Sequence, residues 1–256
     1  MGNYDTRSVQ GAINLPISEQ WNARIDAKHR KSDGYFSDVN SGADINSIDR
    51  SMVRAQLTRE DDVSSLRLIA DWATSDSVCC AGIVTDRSPL SANVTAVAAA
   101  TGNLGYGSAN PTDYEVGLSV MPSDEVSDWG FSAEYNRDID GMNLTSVTAY
   151  RDWESDVLRD GDMSGADLAV ADSFTSNTSF SQELRLQGES GSVNWLVGAY
   201  YLHDEVDLTE TFATGSQVES YIDRLLAGLS GTRAPITFQG FGTLPTPAQA
   251  GANGIP

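Results

Sequence analysis

The densest set of hard oxygen donors in the chain is Asp160-Gly161-Asp162-Met163-Ser164-Gly165. Side-chain oxygens at positions one, three and five, with glycine at six for the turn, open a calcium loop of the EF-hand type. Position twelve is Ala171 instead of the bidentate glutamate that such a loop needs, and the flanking residues suit strands. Asp160, Asp162 and Ser164 are therefore a weak metal candidate, with a solvated acidic loop as the simpler expectation. Cys79 and Cys80 are adjacent and are the only cysteines. With no histidine or second cysteine pair beside them, a loop disulfide is expected rather than a redox or metal centre. His203 lies beside Asp204, and serines are plentiful. No nucleophile-elbow motif or oxyanion loop accompanies them, so a strand-end histidine is the expected reading, as it is for His29. The GNLGYG stretch at 102–107 is expected to open no helix and so cradles no phosphate. Neither an enzyme nor a resident cofactor is expected.

The arginines are more informative. Arg24, Arg54, Arg67 and Arg185 alternate with apolar neighbours and so share polar faces. Guanidinium groups pair bidentately with carboxylates, and Asp26, Asp71 and Glu183 are near in sequence. Structural ion pairing is the simpler role, and contact with a substrate the sharper one.

The elements that carry these residues are strands. Trp21, Ala23, Ile25 and Ala27 alternate with Asn22, Arg24, Asp26 and Lys28. The same period of two runs through Leu66–Trp72, Trp129–Tyr135, Phe180–Leu186 and Val193–Tyr201, and more weakly around Val9–Leu15 and Val53–Leu57. Residues 143–153 alternate poorly and are read as strand from their Thr, Val and Tyr content. Eight strands result, at about 6–16, 21–34, 45–58, 64–74, 128–137, 143–153, 174–187 and 192–210. The connections alternate: short turns at 17–20, 59–63, 138–141 and 187–192, and longer loops at 35–44, 75–127, 154–173 and 211–256.

Long strands with one apolar and one charged face, joined alternately by short and long connections, match an antiparallel transmembrane β-barrel of the outer-membrane type. There the periplasmic turns are tight and the extracellular loops long. Trp21, Trp72, Trp129, Trp153 and Trp195, with Tyr200 and Tyr201, suit its interfacial girdles. No run approaches the roughly 18 apolar residues of a spanning helix. Lys plus Arg total 16 against 36 Asp plus Glu, a net charge of −20, which excludes a nucleic-acid partner.

Residues 143–156 (NLTSVTAYRDWESD) and 179–205 (SFSQELRLQGESGSVNWLVGAYYLHDE) resemble the barrel of TonB-dependent outer-membrane receptors, in the iron-complex branch. The stretches at 11–42 and 65–84 resemble it too, so the likeness runs in order from about Tyr4 to Glu210. It implies a barrel of about 22 strands plugged by an N-terminal domain, of which residues 1–256 supply about eight. A plug, its coupling segment and a signal peptide are expected before Tyr4, and further strands after Pro256, so the chain reads as a partial barrel. By resemblance the parent imports ferric-siderophore or similar iron complexes across a Gram-negative outer membrane, energised by the TonB complex through the plug. Its partners would be outer-membrane lipid, TonB and a bulky small-molecule ligand. The acidic loops suit an anionic complex poorly unless lumen arginines dominate, so a saccharide or cobalamin is an alternative cargo. Any ligand contacts are expected in the loops 75–127 and 154–173. Two other architectures compete: a self-contained eight-stranded structural or adhesive barrel, and a soluble glycan-binding β-sandwich.

Overall fold

The computed structural model describes residues 2–230. The final Pro/Gly/Ala-rich part of the expected last loop lies outside them. Among the described residues the strands are β1 (Arg7–Pro16), β2 (Trp21–Ser32), β3 (Phe36–Asp38), β4 (Asp44–Ile45), β5 (Ile48–Glu60) and β6 (Ser64–Ser77), then β7 (Glu115–Val116), β8 (Ser123–Ile139), β9 (Met142–Asp160), β10 (Ala169–Ser190) and β11 (Val193–Thr214). Two helices, α1 (Ser91–Ala98) and α2 (Val218–Ser230), fall in stretches expected to be loop.

Eight strands form one antiparallel sheet in the order β1-β2-β5-β6-β8-β9-β10-β11. Register shows why. Ile13 pairs with Ile25, Ile25 with Ala55, Ala55 with Ala70, Ala70 with Phe131, Phe131 with Tyr150, and Tyr150 with Phe180. Directly opposed residues of an antiparallel pair share a face. The apolar stripes of successive strands therefore merge into one apolar face. A slip by one residue would send each stripe to the polar side, so the stripes themselves hold the register. Aromatic contacts tie this face together: the Tyr150 ring centroid lies 5.3 Å from Trp129 and 5.8 Å from Phe131, and Phe180 lies 6.2 Å from Tyr201.

The short turns all lie at one end of the sheet. Two of them have only two residues, and in one of these Asp140 and Gly141 both have positive φ (52° and 83°). That is the type I′ geometry whose twist matches paired strands. The other end carries the longer connections, and these fold. A second sheet, β4-β3-β7, packs Ile45, Val116 and Leu118 into a small core. Another core joins Val94, Val97 and Ala98 of α1 to Ala166, with Tyr106, Leu168 and Tyr221 against it. Apart from Pro122, the buried apolar side chains among the described residues belong to these two clusters.

Two expectations are corrected. In the described residues β1 bonds only to β2 and β11 only to β10, so the eight strands do not close into a self-contained barrel. Nor does a second large sheet face the first, as a β-sandwich requires. The apolar face stays uncovered, with Phe131 48%, Val197 59% and Tyr201 57% exposed.

Register also divides the expected aromatic girdle. Trp21, Trp72, Trp129, Trp195 and Tyr201 stand on the apolar face. Trp153 pairs with Asp128 and Tyr200 with Glu183, which places both on the polar face.

Candidate functional site: the polar face and its mouth

The polar face is a lattice of charges whose partners follow from strand register. Arg24 of β2 donates to Asp26 two residues along, with Nη2 2.6 Å from Oδ1, and Nη1 donates to Asn14 across the strand pair. Arg67 of β6 meets Glu134, its directly opposed neighbour on β8. Arg185 of β10 reaches Glu183 at 3.1 Å. These three arginines are thus ion-paired. Arg54 sits between Asp26 and Asp71 in register but has no ion pair with either. Asp71 instead accepts from Arg151 of β9 at 2.9 Å, and the same guanidinium also meets Asp128.

Arg151 did not emerge from the sequence, because its reach depends on Gly130. Gly130 lies between Asp71 and Arg151 in the register. A Cβ there would stand 2.8 Å from the Tyr150 carbonyl oxygen and 3.5 Å from Arg151 Cζ. Its absence lets the guanidinium cross a whole strand to Asp71.

Toward the long-loop end the polar face forms a depression of about 430 Å³ lined by Lys28, Arg30, Arg50, Met52, Asp124, Val126, Asp128 and Trp153. Two aligned rows build it, Lys28–Met52–Ala73–Asp128–Trp153 and Arg30–Arg50–Ser75–Val126–Ser155. The expected ligand loops supply little of this lining; the strand ends supply most of it.

The Asp160–Gly165 loop joins β9 to β10. Asp160 is buried, and its Oδ2 accepts from Ser119 N (2.7 Å) and Oγ (3.0 Å) and from Val120 N (3.3 Å). Its Oδ1 accepts from Asp162 N and Met163 N. Asp162 accepts from the Ser164 hydroxyl and from Leu168 N and Ala169 N. Here the oxygens of Asp160 and Asp162 clamp backbone N–H groups of the loop. Burial is the main reason the Asp162 carboxyl is pushed up to about 6, and the neighbouring Asp160 charge adds to it. Asp38 does similar work in the small sheet, accepting from Leu118 N at 2.9 Å and from Ser41 N at 2.8 Å.

Cys79 and Cys80 are joined by a disulfide, and Cys79 Sγ lies 3.6 Å from Asp124 Oδ2. Among the described residues this trio is the one place where three metal-ligating side chains converge. With the sulfurs bonded to one another there is no thiolate to bind an ion. His203 pairs with Phe180 on the apolar face, while Asp204 pairs with Ser179 on the polar face, so they cannot form a relay. His29 lies 3.0 Å from the Ser51 hydroxyl. GNLGYG begins at Gly102, a left-handed cap (φ 87°) that ends the turn after α1 and opens no helix.

No protein-family model matches the chain, and no curated protein matches it in sequence. Solved structures do match in fold. The ferric yersiniabactin uptake receptor FyuA of Yersinia pestis superposes with a TM-score of 0.62 at 12% identity, over 83% of this chain and 30% of that one. The siderophore receptor PiuA of Acinetobacter baumannii gives 0.61 at 14% identity, over 86% and 32%. The chain thus spans about a third of the length of the receptors it matches. The antiparallel meander, its one apolar face and its alternating turns and loops are thus similar in fold to a stretch of these siderophore receptors.

Proposed function

We propose that the chain is part of the wall of an outer-membrane importer in a Gram-negative bacterium, taking up ferric-siderophore or similar iron complexes with energy supplied through TonB. The observation that carries this reading is the continuous apolar face on one side of a single sheet of long strands. Such a face is stable only against an apolar medium, and a bilayer accepts β-structure when its backbone hydrogen bonds are closed on themselves. The opposite face is polar and ion-paired, as a water-filled or plugged lumen requires. The solved receptors that share the fold are named for siderophore and ferric yersiniabactin uptake, which favours an iron complex over a saccharide or cobalamin. On this reading the chain performs no catalysis. Its chemistry is binding and passage, and the driving force comes from an inner-membrane partner because the outer membrane holds no potential.

The test is made in the cell that encodes the chain. Disrupting the gene should lower uptake of radiolabelled ferric siderophore under iron starvation, and removing TonB should lower it equally. Recovery of the protein from the soluble fraction would overturn the membrane assignment. Unchanged uptake with the protein in the outer membrane would overturn the cargo.

A further inference from the structure

Cys79, Cys80 and Asp124 are brought together by two parts of the fold, and neither part depends on the bond between the sulfurs. The residues on either side of the cysteine pair are pinned to Asn46 and Ser47. Val78 N donates to the Ser47 hydroxyl at 3.0 Å, and the Val78 carbonyl accepts from Asn46 N (2.7 Å) and Ser47 N (3.1 Å). Ala81 N donates to Asn46 Oδ1, and the Ala81 carbonyl accepts from Asn46 Nδ2, both at 3.2 Å. Val78, Ala81 and Ile83 also pack against the core of Ile45, Val116 and Leu118. Asp124 stands on β8, paired with Ser77 on one side and Val157 on the other. Its Oδ2 lies 3.6 Å from Cys79 Sγ, and a donor atom from each of the three residues lies within 4.8 Å of the others. Asp124 lines the hollow that holds Arg50, yet it forms no ion pair among the described residues. The sulfur it faces is bonded to sulfur and has no proton to give it. Cys80 is exposed, so a solute reaches the bridge from outside.

We propose that reduction of this bridge opens a site for a thiophilic divalent cation, zinc or cadmium, held by the two cysteine sulfurs and an Asp124 carboxylate oxygen. Water completes the tetrahedron that such an ion prefers. The reductant is a small-molecule thiol. One of its thiolates attacks Cys80 Sγ, forms a mixed disulfide and expels Cys79 as thiolate. A second attacks the reductant sulfur of that mixed disulfide, releases Cys80 as thiolate and leaves the reductant as its own disulfide. Two electrons thus pass from the reductant to the cysteines. The two protons shed by the reductant stay on the cysteines when no cation is present and go to solvent when one binds. Two thiolates on one tetrahedral zinc sit roughly 3.8 Å apart, a separation that rotation about the side-chain bonds supplies. Residues 78 and 81 remain pinned throughout, so the sulfurs stay beside Asp124. Magnesium and calcium, which take oxygen ligands, are not retained. The site is closed where the surroundings are oxidising and open where thiols accumulate. It goes beyond the uptake reading and is independent of the cargo.

The experiment uses membranes of the cells that make the full chain, with cadmium as the probe. Thiols are read by maleimide labelling and mass spectrometry of the tryptic peptide 68–87, which carries both cysteines. No label is expected before reduction, and two labels after treatment with a water-soluble phosphine that is then washed out. Cadmium added to the reduced protein should slow labelling at least about tenfold, and magnesium should not. Asp124→Asn should raise the cadmium concentration for half protection at least about tenfold, since even the outer partners of metal ligands are worth that much. Asp124→His keeps a donor that these ions accept and should restore protection, while Asp76→Asn should leave it unchanged. Labelling before reduction, no protection by cadmium, or equal protection by magnesium overturns the proposal. So does undiminished protection in Asp124→Asn, which would assign the cation to the sulfurs alone. Failure of Asp124→His to restore what Asp124→Asn loses also overturns it, because Asp124 would then only support the loop. The readout involves no transport, so the uptake reading and this site stand or fall separately.

Discussion

Carboxylates at the long-loop end of the molecule work mainly as acceptors for backbone N–H groups. Asp38, Asp160 and Asp162 each gather two or more donors from segments distant in sequence or across a turn. Alternate oxygens at 160, 162 and 164 were legible in the sequence as a set of converging acceptors. What they converge on was not, since a cation and a row of N–H groups ask for the same donor spacing. Asp162 makes a prediction at this scale. Its carboxyl is raised to about 6, above the ordinary aspartate value, so the folded state holds the proton more tightly than the unfolded chain does. Its stabilising contribution is then full below about pH 4 and is lost as the pH rises through 6. Comparing thermal unfolding of the parent with Asp162→Asn from pH 4 to 7 should show the parent losing roughly 1–2 kcal/mol relative to the variant, a figure discounted for partial exposure. A difference that stays flat across that range refutes the assignment.

Strands were readable from residue type wherever a stripe of Trp, Leu, Ile or Phe alternated with charge, as in β2, β6 and β8. The β9 pattern was weak because its apolar face carries Ser146 and Thr148 while its polar face carries Val147 and Ala149. Tyr150 and Arg151 restore the alternation only once the neighbouring strands are known. α1 escaped notice because SANVTAVA mixes Thr and Val, residues of modest helix propensity, and its burial comes from α2 and Ala166 far along the chain. α2 had the helical spacing of Val218, Tyr221, Ile222 and Leu225, but it follows a long strand in a stretch taken as loop. The Arg30–Arg50 pair depends on a register set across the folded connection at residues 33–47, whose length alone does not fix the pairing. At this scale a pair of identical substitutions separates packing from propensity. Gly130→Val should cost about 1–3 kcal/mol in denaturant unfolding, because its side chain meets the Tyr150 carbonyl and displaces Arg151 from Asp71. Gly11→Val should be near neutral, since a Cβ there meets nothing within 4 Å. Equal costs at both sites would mean that β propensity, and not the crossing by Arg151, decides the result.

For the molecule as a whole, the described sheet has two free edges, β1 and the 22-residue β11. A long strand edge with unpaired N–H and C=O groups templates further strands. In buffer without detergent the purified chain should associate through β11, and Val206→Lys with Leu208→Lys should slow that association several-fold. Sedimentation as a stable monomer would contradict it. The class of fold was legible at this scale because turn and loop lengths alternate along the entire chain, a global regularity that survives errors in any one strand. Closure was not legible, because nothing in a strand pattern says which strand an edge will meet.

The strands lengthen along the sheet, from 10 residues in β1 to 22 in β10 and β11. At about 3.4 Å per residue, β10 and β11 run roughly 40 Å farther than β1. The short turns share one end, so the excess accumulates at the other, where residues 169–178 and 205–214 form a tall ribbon. Lys28, Arg30 and Arg50 sit on the low side, on strands of 12 and 13 residues. The rim of the sheet therefore slopes, low over β2 and β5 and high over β10 and β11.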